Sequence, residues 1–240
     1  MKKSVLFLAA AILMAFGLHP CEREGNNGDY NGCGGAGGDS TTVQWVDLGL
    51  PSGLLWADRN VGADKPEGYG NYYAWGETSP KERYDWENYA YGSYHSKLIK
   101  YCNMSICGRI GFTDTLTILE ASDDAASVNL GGQARTPQFH EWQELMRCTT
   151  SVWTSRNGIY GRLLTAPNGN SLFLPAAGLR NGASRSRAQK RGFYWSSSLH
   201  TEGPYDAWIF YLSSNCQYVG RYGDSRYVGF SVRAVRDGQN

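Results

Sequence analysis

Two stretches near the C-terminus divide their side chains at every second residue, and that period calls for strands rather than helices. Over residues 206–212, Trp208, Phe210 and Leu212 fall on one face and Ile209 and Tyr211 on the other. The closing stretch sets Phe230, Val232 and Ala234 against Ser231, Arg233 and Val235. In both, the first set is expected to point inward, which leaves Ile209 and Tyr211 for solvent. Residues 43–48 and 53–57 read as further strands around the turn Gly49-Leu50-Pro51-Ser52, and residues 171–175 as another that Pro175 stops. Gly49, Gly53, Gly62 and Gly76 read as turn geometry. Thr136 as N-cap and Pro137 at the first helical position open the clearest helix, whose apolar stripe is Trp142, Leu145 and Met146. A second short helix is expected near residues 122–128, where Asp123 and Asp124 complement the helix dipole. The expected class is α+β: short antiparallel strands, two short helices and many loops.

The first residues have a different logic. Met1-Lys2-Lys3 precedes an apolar run over 5–18, too short to span a bilayer, which needs about 20 helical residues. Residues 1–21 are therefore read as a secretory signal. Leu18-His19-Pro20-Cys21 places Cys21 where a bacterial lipoprotein is lipidated, although His19 and Pro20 replace the expected small residues; cleavage after Ala15-Phe16-Gly17 is the alternative. Residues 22–42, with Gly34-Gly35-Ala36-Gly37-Gly38 inside, hold too little apolar surface to fold and read as a disordered, Gly-rich tether. One domain is expected over 43–240. This order suits a protein of the cell envelope, either an outer-membrane surface lipoprotein touching the membrane only through its anchor or a secreted protein.

Charge and residue types exclude several functions. Lys2 and Lys3 are two of the 23 basic residues, so 21 remain against 22 acidic ones, a net charge of −1 that argues against nucleic acid. His19, His95, His140 and His200 stand at no zinc-ligand spacing from a cysteine or from one another, and no metal or cofactor is expected. Cys102 and Cys107 suit either a small disulfide loop or two buried thiols. No Gly-x-Ser-x-Gly elbow and no P-loop occurs. His140, Glu141 and Glu144 read as solvated helix positions. Asp85 and Glu87, amid Tyr84, Trp86 and Tyr89, fit either a sugar-cleft carboxylate pair on a strand or a surface loop. Trp45, Trp56, Trp75, Trp195 and Trp208 read as core.

Several blocks carry a resemblance. They are Trp45-Val46-Asp47-Leu48-Gly49-Leu50-Pro51-Ser52-Gly53-Leu54-Leu55-Trp56-Ala57, Asn60-Val61-Gly62-Ala63, Tyr73-Ala74-Trp75-Gly76-Glu77-Thr78, Gly169-Asn170-Ser171-Leu172-Phe173-Leu174-Pro175-Ala176-Ala177-Gly178 and Tyr194-Trp195-Ser196-Ser197-Ser198. In this order, over nearly all of 43–237, they closely resemble the Fibrobacter succinogenes major paralogous domain family. That resemblance implies an exported Bacteroidetes protein or lipoprotein of the C-type-lectin-like fold group, with intertwined strands and a loop-rich half. Gln133-Ala134 departs from the family, whose members usually carry tryptophan there. The formylglycine-generating oxidases of the wider group need two active-site cysteines, and Cys216 has no sequence neighbour to serve as the second. The group's calcium-dependent lectins use Glu-Pro-Asn or Gln-Pro-Asp, and here no proline follows Glu or Gln.

Two stretches suit recognition. Arg180, Arg185, Arg187, Lys190 and Arg191 occur without an intervening acid and read either as a site for uronate, sulfate or phosphate or as a solvated loop. The other is the candidate ligand-binding set Tyr205, Ile209, Tyr211, Tyr218, Arg221, Tyr222, Asp224, Arg226 and Tyr227. Tyrosine offers large amphipathic contact area at small entropic cost. In related lectin-like proteins diversified by retroelements, this segment carries the variable residues, and undiversified relatives are tyrosine-rich here too. The reading is a non-catalytic cell-surface domain that binds an unidentified surface glycan or protein. A carbohydrate-active enzyme and a purely structural surface lipoprotein are the alternatives.

Overall fold

The computed structural model describes residues 42–238. The leading apolar run, Cys21 and residues 22–41 of the expected tether lie outside the described residues, as do residues 239–240.

The class is α+β. Strands β1 (Trp45–Asp47) and β2 (Leu55–Asn60) are joined by the expected turn, closed by Gly53 N–H donating to the Leu50 carbonyl at 2.9 Å. Gly53 sits at φ 69°, in the left-handed region where a Cβ is costly. Strand β2 also pairs antiparallel with the last strand, β11 (Arg233–Arg236), so the two ends of the folded region meet in one sheet. A second antiparallel sheet has the order β3 (Thr150–Arg156), β4 (Ile159–Thr165), β5 (Ser171–Pro175). The third has β9 (Asp206–Ser213) between β8 (Arg191–Leu199) and β10 (Gln217–Ser225). A small hairpin pairs β6 (Leu179–Asn181) with β7 (Ser184–Ser186). Most of residues 61–137 is irregular, broken by short 3-10 turns and by α1 (Ala125–Leu130).

Helix α2 (Phe139–Cys148) buries Trp142 and Leu145 and half-buries Met146, as its stripe requires. Its start is not where the sequence suggested. Thr136 is not the N-cap, because Asp124 takes both its N–H (2.7 Å) and its hydroxyl (2.6 Å) while capping α1. Gln138 stands at the N-cap instead, and its N–H donates to Glu141 at 2.7 Å. Glu141 is therefore not a solvated charge. It is buried and holds Arg135 through two bonds of 2.7 and 2.6 Å, while Glu144 accepts from Ser52 in the β1–β2 turn.

The main correction concerns β9. Ile209 and Tyr211 do not face solvent; they are buried among Trp195, Phe193, Tyr73, Trp75 and Phe230. Phe210 and Leu212 are buried on the opposite face with Trp142, Leu145, Tyr194, Trp56 and Leu174. The sheet is covered on both sides, so its apolar residues no longer alternate between core and water. Trp208, at the strand's start, is only half-buried, its ring 4.8 Å from Phe139 and 4.2 Å from His200. The closing strand behaves likewise, since Ser231, Arg233 and Val235 are as buried as Phe230, Val232 and Ala234. Arg233 is held by Asn60 Oδ1 (2.7 Å) and the carbonyls of Ala57 (2.9 Å) and Phe173 (3.0 Å), and its burial lowers its pKa to about 10. It stays charged at neutral pH.

Candidate functional site

Strand β10 is an edge strand, and edges are open to further partners. Its pairing with β9 passes from Val219↔Phe210 to Gly223↔Trp208, so Gly220, Arg221 and Tyr222 form a bulge. The bulge passes close over helix α2, because a Cβ on Gly220 would lie 2.5 Å from the Phe139 ring. The side chains of Arg221 and Tyr222 lie outside what the structure describes.

Of the expected recognition residues, Tyr205, Tyr218, Asp224 and Tyr227 retain partial exposure. Tyr218 stacks on Tyr211, its cross-strand neighbour, with ring centroids 4.6 Å apart. Tyr227 leans on Trp86 at 5.1 Å, and Tyr205 packs beside His95 at 5.8 Å. Ile209 and Tyr211 drop out for the reason given above. Arg226 drops out as well, since it is fully buried. Its guanidinium donates to the Tyr89 hydroxyl (2.8 Å) and to the carbonyls of Tyr101 (3.0 Å), Pro204 (2.8 Å) and Lys100 (3.1 Å), and lies 4.9 Å from the Trp75 ring centre. A fully buried guanidinium with four of its five N–H donors committed inside the fold does not present itself to a ligand.

The hairpin β6–β7 supplies what the C-terminal segment lacks. Arg180 forms a backbone bridge with Gly229, and Leu179, Tyr218 and Tyr227 are all half-buried against the same core cluster. The backbone of the basic run thereby meets the segment that follows Tyr227, a juxtaposition with no local sequence signal. Arg185, Arg187, Lys190 and Arg191 are exposed, while Arg180 is half-buried with its Nη2 on the Ala183 carbonyl at 3.1 Å. No carboxylate among the described residues is ion-paired with any of the four exposed cations. Arg185 lies over the Tyr69 ring at 5.2 Å. Arg187 stands at φ 61°, uncommon for a residue with a side chain, and its charge acts on Asp224.

Asp224 is the most perturbed acid of this face. Burial, aided by the charge of Asp206, pushes its pKa up to about 6, against the pull of Ser225 N–H and Arg187. Asp206 is also raised, first by burial. Ser225 bridges the two, its N–H on Asp224 Oδ1 (2.9 Å) and its hydroxyl on Asp206 Oδ1 (3.2 Å). Next to them His200 has a buried Nδ1 without a hydrogen-bond partner. This acid pair was not singled out from the sequence, because the residues lie on opposite strands of a hairpin.

The other proposed carboxylate pair dissolves. Asp85 and Glu87 lie at a 3-10 turn (Trp86–Asn88), not on a strand, with Asp85 capping the Asn88 N–H at 3.1 Å and paired with Arg83. That pairing lowers the Asp85 pKa, the opposite of what a general acid needs. Tyr84 and Tyr89 are buried, and their hydroxyls donate to the carbonyls of Tyr72 (2.5 Å) and Trp75 (2.7 Å). Trp56, Trp75 and Trp195 are core, while Trp45 is half-buried beneath Arg236. Cys102 and Cys107 are free, buried thiols. Among the described residues no cluster of three or more His, Cys, Asp or Glu could hold a metal ion, and no helix is long and apolar enough to cross a membrane.

Comparison of the chain with protein-family models, curated proteins and solved structures finds no match in any of the three.

Proposed function

We propose that this chain is an exported, non-catalytic binding protein, tethered through Cys21, whose ligand is a surface glycan bearing carboxylate or sulfate groups. The observation that carries the reading is the proximity of the half-exposed tyrosine segment, which holds Tyr218 and Tyr227, to a run of exposed cations that form no ion pair among the described residues, although the charge of Arg187 reaches Asp224. Tyrosine faces stack on sugar rings, and arginine forks bind planar carboxylates and sulfates bidentately. The meeting of β1, β2 and β11 and the irregular 61–137 half support a C-type-lectin-like fold and kinship with the Fibrobacter succinogenes major paralogous domain family.

The test is a glycan array rich in uronate and sulfated sugars, followed by calorimetric titration of a hit against Tyr218→Ala and Arg187→Ala. Each variant should weaken binding by more than about 1 kcal/mol if it is a hot spot, with melting curves showing that the protein is still folded at the titration temperature. Equal affinity in parent and variants would remove the proposed site.

A carbohydrate-active enzyme is the second reading, and the observation favouring it is Asp224 beside Asp206. An acid with a pKa near neutrality can protonate a leaving group. Turnover of a bound glycan that Asp224→Asn abolishes would make this reading the correct one.

A further inference from the structure

The loop between Glu87 and Asp114 carries no acidic residue; its Lys100 is tied to Glu120 and Asp123, while Lys97 and Arg109 form no ion pair among the described residues. It also holds the most exposed apolar side chains described: Ile110 is 98% exposed and Ile106 77%, with Tyr94, Ile99, Met104 and Phe112 exposed as well. Single exposed apolar residues need no explanation, but several on one loop do.

The tip is fixed in place rather than loose. Leu98 N–H donates to the Cys107 carbonyl (2.9 Å) and Arg109 N–H to the Leu98 carbonyl (2.8 Å), while Phe112 N–H returns to the Arg109 carbonyl at 3.1 Å. Gly108 permits the turn, because a Cβ there would lie 1.8 Å from the Phe112 carbonyl oxygen. Ile110 stands at φ 54°, ψ 39°, a left-handed conformation that is a genuine outlier for a β-branched residue. The backbone thus holds a large apolar side chain out in water at a conformational cost. Beside the tip runs an open groove of about 610 Å³, lined by Ile99 and Ile110, the hydroxyl residues Ser93 and Ser96, and the cations Lys97 and Arg109.

We propose that this loop docks on an anionic lipid surface, with Ile106 and Ile110 entering the acyl boundary and Lys97 and Arg109 meeting headgroup phosphates. Charge complementarity selects this occupant. Exposed Lys97 and Arg109 favour an anionic surface, although Glu202 is carried on the adjoining turn that Asn103 grips through the Thr201 carbonyl. A protruding aliphatic side chain, Ile110, that shares its groove with Lys97 and Arg109 matches the layers of a bilayer interface. The contact adds to the anchor expected at Cys21 and is independent of the glycan reading, whose residues lie elsewhere in the chain. Stable membrane attachment takes two signals, and this loop supplies one of them.

The test is vesicle co-sedimentation of the full chain with phosphatidylcholine alone or mixed equally with phosphatidylglycerol. Any hold of residues 1–41 on the bilayer is common to parent and variants, so the ratio of partition constants reads the loop. The pair Ile106→Ser with Ile110→Asn should partition about tenfold more weakly on both vesicles; Asn is chosen because it tolerates the left-handed conformation. Lys97→Glu with Arg109→Glu should lose about tenfold on the phosphatidylglycerol vesicles only. If the first pair disturbs folding, the charge pair still decides. Partition equal to the parent overturns the proposal. So does sedimentation velocity showing a parent dimer that the isoleucine substitutions dissociate, since the face would then belong to a second copy.

Discussion

The Arg226 guanidinium donates to the Tyr89 hydroxyl at 2.8 Å, joining residues 137 positions apart. Tyr89 in turn donates to the Trp75 carbonyl at 2.7 Å, so the C-terminal segment, the loop-rich half and the central tryptophan cluster meet at one buried cation. The cost of burying it is offset by carbonyl and hydroxyl acceptors and by the faces of Trp75 and Tyr89. Arg226→Ala should therefore behave as a folding variant, losing about 3–5 kcal/mol in urea denaturation because several buried carbonyls lose their donor. A stable Arg226→Ala protein that had lost only ligand affinity would restore Arg226 to the binding surface.

The two faces of β9 allow a sharper comparison. Phe210 has no exposed surface and stacks on Trp142 at 4.8 Å, whereas Trp208 is half-buried near the start of the strand. Phe210→Ala should cost about 3–5 kcal/mol. Trp208→Ala should cost visibly less, within the 0.5–3 kcal/mol common to most substitutions, though Trp is the larger residue. Paired equilibrium unfolding curves decide it, and a greater loss at Trp208 would contradict the described burial.

Strand existence was legible because turns mark it: residues 171–175 coincide with β5, and residues 206–212 fall within β9. Facing was not. Periodicity separates two faces, but only tertiary packing says whether the second face meets water or another layer, and here Tyr211 meets Phe193 at 5.2 Å. The same limit explains Arg226, whose Tyr/Gly/Arg-rich neighbours look like a surface while its acceptors come from distant loops. The tie of Asp124 to Thr136 also joins residues far apart in sequence, and it moved the helix start. The approach of Arg180 to Gly229 left no local trace at all.

The thiols provide a chemical check. Cys102 and Cys107 are buried, which raises both pKa values and disfavours the reactive thiolate. Cys148 and Cys216 are free and half-buried. Under native conditions a thiol-specific chromogen should titrate Cys148 and Cys216 first, with Cys102 and Cys107 reacting only on denaturation. Mass spectrometry showing a Cys102–Cys107 disulfide in protein exported by its native route would instead favour the loop-closing alternative.

Asp224 gives the fold a pH dependence of definite sign. Its folded pKa, about 6, lies above the ordinary value of 3.8, chiefly through burial and secondarily through Asp206. Between those values the native state keeps a proton that the unfolded chain has lost, so stability falls as pH rises. The contribution is fully present below the unfolded pKa and gone once pH passes the folded one. A shift of this size corresponds to roughly 2–3 kcal/mol. Acids with lowered values, such as Asp123 with Lys100 and Tyr101 on its carboxylate, slope the other way, so the parent's total curve mixes both. The difference between parent and Asp224→Asn isolates the one group, because Asn keeps the acceptor for Ser225 N–H without a titrating charge. Measured by urea unfolding from about pH 4 to about pH 7.5, the variant should gain steadily on the parent, most of the gain falling between about pH 4 and 6. A constant difference across that range would mean that the Asp224 carboxyl titrates in the fold as it does in the unfolded chain.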